Sequence, residues 1–249
     1  MISVIIITFN ESDRIESTLR SLSWCKDVVV VDSGSTDETQ VIAEKMGARV
    51  VYRQFSGYGE QKQFACSLAK HPWILSIDAD EVLSEKLSIE IQCAITTESF
   101  SAYRIPRRFR FLGRTFTHGR SSVDYPTRLF RRDHGGFDSA IVHESVVVTG
   151  AISRLQGEML HDSYRNLHHY FEKFNDYTTK AAEQMISKGV HRSLVVTIVS
   201  LPLYFIKQYI IGGHILNGRE GLLWSLLSSW YPVVKVAKAR TGMKSKTSR

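Results

Sequence analysis

Hydrophobic and polar positions divide this chain into two regions of different texture. Over roughly the first hundred residues, short apolar runs alternate with stretches of helical spacing. Residues 2–8 (ISVIIIT) form a β-branched run ending in a polar turn, and residues 12–24 carry Ile15, Leu19 and Leu22 at helical intervals. VVVVD at 28–32 leads through SGSTD to a helix expected from about Asp37 to Met46 and stopped by Gly47. Ser35 and Glu38 stand at capping-box spacing and are expected to set its start. ARVVYR supplies a third strand, a helix follows near 60–70, and WILSI supplies a fourth strand. Four strands alternating with helices predict an α/β fold with a mostly parallel, doubly wound sheet covered on both faces. Ligands of such sheets bind at the carboxyl ends of the strands. Asn10, Glu11, Asp32 and the group from Asp78 to Asp80 all fall at such ends, so they are expected to share one crevice.

Beyond about residue 100 the alternation weakens into shorter pieces expected to be antiparallel (AYRIPRRFRF, TRLFRR, ESVVVTG), and then into helices. Residues 167–186 place Leu167, Tyr170, Phe171, Phe174, Tyr177, Ala181 and Met185 on one stripe, the pattern of an amphipathic helix packed on a core. Residues 194–216 (LVVTIVSLPLYFIKQYIIGGHIL) approach the length of a membrane span, but Pro202, Lys207, Gly212 and Gly213 interrupt them. A second apolar run, LLWSLLSSWYPVV, leads into a basic tail. This pattern predicts a helical hairpin lying in the plane of an anionic membrane surface, where each basic residue contributes roughly 1 kcal/mol. The expected division is a domain at 1–165 and a helical region at 166–249.

At 249 residues, with 43% hydrophobic and 23% charged positions, the composition is that of a globular protein and excludes a disordered chain. Cys25, Cys66 and Cys93 are odd in number and widely spaced, which argues against a disulfide framework or a zinc knuckle and suits a reducing compartment. MISVIIITF lacks a basic flank and a small-residue cleavage site, so it is read as a buried strand and the protein as cytoplasmic. The net charge of +7 is uneven. No acid follows Glu220, whereas Lys235, Lys238, Arg240, Lys244, Lys246 and Arg249 do. A second basic run, from Arg104 to Arg132, holds nine arginines against the single acid Asp124. Neither run accompanies a nucleic-acid-binding motif, so no nucleic acid partner is expected.

Candidate chemistry concentrates in WILSIDADEVL, where Asp78, Asp80 and Glu81 place three carboxylates within four positions. Like charges so close raise one another's pKa unless something positive lies between them. An Asp-x-Asp pair can hold a divalent cation through one or both carboxylates and leave its other positions for phosphate oxygens and water. Such an ion suits the departure of a nucleoside diphosphate.

The ordered set VIIITFNES, VVVVDSGSTDET, FSGYGEQKQFA, WILSIDADEVLS and IVHESVVVTG resembles the family 2 glycosyltransferases with the GT-A fold, especially bacterial lipopolysaccharide core glucosyltransferases. The resemblance covers the first 165 residues, and YIIGGHILNGREGLLW also looks like the tail of that branch. It implies that Thr8, Asn10, Glu11 and Asp32 contact the base and ribose of a nucleotide and that Lys62 lines the donor pocket. It implies further that Asp78 and Asp80 ligate Mg or Mn, with Asp80 the more direct ligand, and that His161 in GEMLHDSY adds a ligand or a hydrogen bond to the diphosphate. The expected donor is UDP-glucose, and the expected acceptor is a glycolipid on the inner face of the cytoplasmic membrane.

Inverting transfer needs a base opposite the leaving group. The resemblance assigns it to Glu144, with Asp138 and Asp124 as alternatives and His143 as an orienting neighbour. The family pattern has Glu-Asp at this point, where this chain has His-Glu. Arg128 is expected nearest the reaction, on acceptor or diphosphate, because guanidinium groups bind both phosphate and carboxylate. Capsule or exopolysaccharide transfer, a nucleotidyltransferase and a catalytically silent nucleotide-sugar-binding protein are the competing functions. A dinucleotide-dependent oxidoreductase is excluded because the turn after the first strand, FNESDR, is not glycine-rich.

Overall fold

The computed structural model of the chain describes residues 1–97, 99–138 and 145–242. Two compact units emerge: Met1–Arg108 with Asp124–His161, and Phe109–Val123 with the chain from Asp162 onward.

In the first unit, β1 (Ile2–Thr8), β2 (Val28–Asp32), β3 (Arg49–Tyr52) and β4 (Trp73–Asp78) lie parallel in the order β3-β2-β1-β4. Consecutive side chains of a strand point to opposite faces, and here both faces are covered. Val4, Ile6, Val30, Leu75 and Ile77 share a core with α1 (Ile15–Arg20), α2 (Thr39–Lys45) and α4 (Glu85–Ala94). Ile5, Val29, Val31 and Ile74 pack instead with Ala65 and Cys66 of α3 (Tyr58–Ser67). The mostly parallel, doubly wound α/β sheet is therefore present. Three further strands extend it past β4: β10 (Thr127–Arg131), antiparallel to β4 and to β6 (Ala102–Arg104), and then β13 (Ile152–Arg154).

The capping box expected of Ser35 and Glu38 is absent. Asp32, a charged acceptor, takes the Ser35 hydroxyl, and Ser35 Oγ in turn accepts the Asn10 amide at 2.8 Å. Asp37 supplies the start of α2, accepting the amides of Thr39 and Ser12, both at 3.1 Å. Partial burial pushes the Asp37 carboxyl up, but these hydrogen bonds outweigh it and bring the pKa down to about 2.

After β4 the chain turns into β5 (Glu81–Leu83), which pairs antiparallel with β14 (Met159–Tyr164), setting His161 opposite Glu81. Ser84 caps α4 by accepting the Leu87 amide at 3.2 Å. β11 (Gly135–Phe137) pairs antiparallel with β12 (Val146–Val148) in a separate two-stranded sheet.

β7 (Arg107–Phe111) begins in the first unit with Arg107 and Arg108 and enters the second at Phe109, where the chain turns through Leu112 and Gly113, both at positive φ, into β8 (Arg114–Thr115). β9 (Val123–Asp124) ends this segment. Phe111 and Phe116 are fully buried and pack with Tyr170 of α5 (Leu167–Ser187) and Trp224 of α8 (Gly218–Ser229). That aromatic packing is why residues 109–123 go with the C-terminal helices, although the sequence division drawn near 165 left them in the first region. Of the stripe expected on α5, Tyr170 is buried and Phe174 packs beside it, whereas Leu167, Phe171 and Tyr177 stay exposed.

The apolar stretch from 194 breaks into α6 (Leu194–Val199), α7 (Leu201–Ile206), a π-helical turn at Lys207–Ile211 and a 3-10 turn at His214–Asn217. Among the described residues, no helix is long and apolar enough to cross a membrane. Val195, Val199, Leu203, Ile211 and Leu216 are 60–75% exposed. The basic tail is not uniformly displayed: Lys238 of α9 (Tyr231–Thr241) is buried and donates to the Asn175 carbonyl and to the hydroxyls of Thr178 and Thr179.

Gly157 sets the approach of β14 to α4. A Cβ at this position would lie 2.4 Å from Leu87 Cα and 2.5 Å from Leu87 N, both backbone atoms. Gly157→Ala is therefore expected to lower stability by about 1–3 kcal/mol. Urea unfolding measures it, and a midpoint equal to that of the parent chain would contradict the close approach.

Candidate active site

Strand register assembles the site. Thr8 stands beside Asp32 and Ile7 beside Asp78, so the carboxyl ends of β2, β1 and β4 form a row with about 4.8 Å between neighbours. The parallel strands also run in opposite sequence directions away from β1, and crevices in such sheets form at that switch point.

The first cations to meet the carboxylates are the protein's own. Asp78 receives Lys62 Nζ at 3.0 Å on Oδ1 and Arg128 Nη2 at 2.7 Å on Oδ2. The same Arg128 nitrogen reaches Glu81 Oε1 at 2.8 Å, and Arg107 reaches that oxygen at 3.1 Å. Glu81 is fully buried, and its Oε2 accepts the Asp78 amide at 2.8 Å. Arg107 extends the row by chelating Asp124 at 3.0 and 2.7 Å. Burial alone would push the Asp78 carboxyl up, but Arg128 and Lys62 hold it well below the usual carboxylate range. Asp124 is likewise lowered, because Arg107 outweighs the cost of burial.

Asp80 has a different environment. β4 ends at Asp78, and residues 79–80 form a turn, so the second carboxylate leaves the sheet. Its Oδ2 lies 3.4 Å from His161 Nε2 and 3.4 Å from Arg14 Nη1. Burial disfavours the His161 imidazolium, but the hydrogen bond and charge of Asp80, with the charge of Glu81, raise its pKa above the ordinary histidine value.

The loops after β1 and β2 are laced together. Asn10, in the left-handed region at φ 54°, accepts the Thr36 amide at 2.8 Å, and the Glu11 amide donates to Thr39 Oγ1 at 2.8 Å. Asp32 is fully buried and accepts the amides of Gly34 and Ser35 and the Gln40 side chain, so its carboxylate builds its own turn. Thr8 is 5% exposed, and its buried hydroxyl has no hydrogen-bond partner among the described residues. Lys62 also lies 5.8 Å from the Phe137 ring, which borders a cavity of about 360 Å³ shared with Arg53, Phe64 and Asp138. Asp138 accepts the Ser145 amide and hydroxyl. His143 and Glu144 lie outside the described residues.

The site thus joins Thr8, Asp32, Lys62, Asp78, Asp80, Arg128 and His161 in one unit, but not in the roles of a simple Asp-x-Asp clamp. Both Asp78 oxygens are engaged by cations, and Arg128 serves as an internal counter-ion. Among the described residues, no cluster of three or more His, Cys, Asp or Glu could hold a metal ion. Asp80 and His161 form a two-residue pair instead, which fits a cation that takes its remaining ligands from substrate phosphates. Sequence reasoning passed over Arg14, Arg107 and the pairing of Glu81. Arg14 had a signal in FNESDR, but nothing in its spacing showed that this residue, just before α1, reaches Asp80.

The profile of glycosyl transferase family 2 matches residues 3–150. A glycosyltransferase of Rickettsia bellii is 32% identical, over 96% of this chain and 86% of its own length. The chain belongs to glycosyltransferase family 2. A lipopolysaccharide core biosynthesis glycosyltransferase of Rhizobium meliloti is 30% identical to this family 2 chain, over 95% of it and 91% of its own length. Among solved structures, the glucosyl-3-phosphoglycerate synthase of Mycobacterium tuberculosis in complex with Mn2+, UDP and glucosyl-3-phosphoglycerate is 28% identical over 44% of each chain, with a TM-score of 0.37.

Removing one partner of a buried ion pair strands the other. In this transferase, Arg128→Ala deprives both Glu81 and Asp78 of a cation, so a loss of about 3–5 kcal/mol is expected in chemical unfolding. The sign with pH follows from Asp78. Its folded pKa lies below its unfolded value, so its stabilisation is full above about pH 4 and is lost as the pH falls toward the folded value. Asp78→Asn should flatten the acid limb of the stability profile, and an unchanged limb would show that other carboxylates govern it.

Proposed function

We propose that this family 2 enzyme is an inverting, metal-dependent transferase that moves a sugar, glucose by sequence resemblance, from a UDP donor to a cell-envelope glycolipid such as the lipopolysaccharide core. The observation that carries the reading is the 3.4 Å approach of Asp80 to His161 at the carboxyl edge of the sheet, beside an Asp78 already neutralised by Lys62 and Arg128. Asp80 and His161 would hold Mg or Mn, which when bound neutralises the charge that develops on a departing diphosphate. Thr8 at the end of β1, with Asn10 and Glu11 beyond it, would border the nucleotide beside the loop that Asp32 shapes. Lys62 and Arg128 keep Asp78 ionised and fixed, so the turn that carries Asp80 starts from a rigid strand end.

The acceptor hydroxyl must lose its proton as it attacks. Glu144 is the proposed base. Two facts favour it over the alternatives: Asp124 is lowered by its bidentate pairing with Arg107, and Asp138 accepts two hydrogen bonds from Ser145. A lowered carboxylate is a weaker base. The glycolipid acceptor is supported by the resemblance to the Rhizobium meliloti protein. Attachment to the inner face of the cytoplasmic membrane is supported by the exposed apolar residues of α6, α7 and the π-helical turn, with Lys207 among them.

Asp80→Ala is expected to abolish metal-dependent hydrolysis of UDP-glucose and transfer to glycolipid, with folding checked by circular dichroism. Turnover retained in that variant would remove Asp80 from the reaction. Binding to vesicles should be stronger with anionic than with neutral lipid and should reverse at high ionic strength. Retention until detergent is added would contradict in-plane attachment and point to insertion.

A further inference from the structure

The second unit contains a cavity of about 330 Å³ lined by no residue assigned above to sugar transfer, within the size range of small-molecule sites. Tyr170, Phe174 and Tyr177 of α5 form one wall, and Tyr164, Trp224 and Tyr231 form the others. The rings of Tyr164, Tyr170 and Trp224 contact one another, with centroids 5.1, 5.9 and 6.1 Å apart, so part of the wall is preassembled. Tyr170 is 3% exposed, and its hydroxyl makes no hydrogen bond among the described residues. Gln208 enters the lining from the π-helical turn. Such turns interrupt a helix at some cost in regularity and are frequent at functional sites.

The lining selects among ligand classes. No charged side chain lines it among the described residues, and Lys173 and Lys235 meet it only through the rings of Tyr164 and Tyr231, each 5.7 Å away, so it holds no direct ionic partner for a phosphate. An alkyl chain would cover the Tyr170 hydroxyl and the Gln208 amide without bonding them, which is unfavourable. A sugar ring satisfies both demands. Its C–H face lies against the negative faces of aromatic rings, and its rim of hydroxyls reaches the phenols and the amide. We propose that this cavity is a saccharide subsite that holds an uncharged pyranose ring of the acceptor glycan. The assignment rests on the transferase reading above, which supplies a glycan acceptor, but it shares no residue with the carboxylate cluster.

The test uses the full chain, with methyl glucoside, methyl mannoside and n-octanol as probes. Saturation-transfer NMR and tryptophan fluorescence read binding, and hydrolysis of UDP-glucose without acceptor reads the first unit. The glycosides are expected to bind in the millimolar range, with transfer to their pyranose C–H protons. Tyr170→Phe, which removes only the hydroxyl, and Gln208→Ala should each weaken binding at least about fivefold while leaving donor hydrolysis unchanged. Glycosides that do not bind, binding indifferent to both variants, or octanol binding that excludes the glycosides would each overturn the subsite. Glycoside binding without donor hydrolysis would instead sink the transferase reading of the carboxylates and leave the cavity a sugar site.

Discussion

Complete burial of Glu81 is the constraint around which the first unit is organised. A carboxylate taken out of water is tolerable only with cations and donors on its oxygens, and Glu81 has Arg128, Arg107 and the Asp78 amide. Those partners come from β10, β7 and the end of β4. The electrostatic condition is therefore met only when β10 of the large sheet and β7 of the smaller sheet that holds β5 have both come into place. Asp78 repeats the arrangement with Lys62 from α3 on the opposite face. Charges alternate from Lys62 through Asp78, Arg128, Glu81 and Arg107 to Asp124, which resolves the crowding of acids apparent in the sequence.

This row divides the labour of two carboxylates that the sequence presents as a pair. Had β4 continued, residues 78 and 80 would face the same side. The chain turns at 79–80, so Asp78 becomes part of the frame and Asp80 meets Arg14 and His161. His161 arrives because β14 pairs with β5, and that pairing depends on the tight passage of Gly157 over Leu87. A backbone packing constraint outside the carboxylate row thus helps set which histidine reaches the acid.

The second unit is held differently. Its centre is aromatic, built by Phe111 and Phe116 against Tyr170 and Trp224. Many of these rings meet edge to face, and the aromatic cavity lies beside this well-buried cluster. The same unit keeps apolar side chains of α6 and α7 in solvent, while Lys238 turns inward to cap hydroxyls and a carbonyl on α5.

The parallel strands, their order of helices and the row of polar residues at the strand ends were legible in the sequence, because β-branched runs and helical spacing are local signals and a parallel sheet needs little else. The family was legible for the same reason, since its motifs are short and ordered along the chain. Only the tertiary structure decided the partners. Arg107 and Arg128 look alike in a basic stretch and Arg14 sits among acids, and what distinguishes them is which buried acid each can reach. The membership of residues 109–123 and the inward turn of Lys238 were decided the same way, by non-local contacts that no spacing along the chain encodes, and the start of α2 by which of several nearby acceptors took the hydroxyl of Ser35.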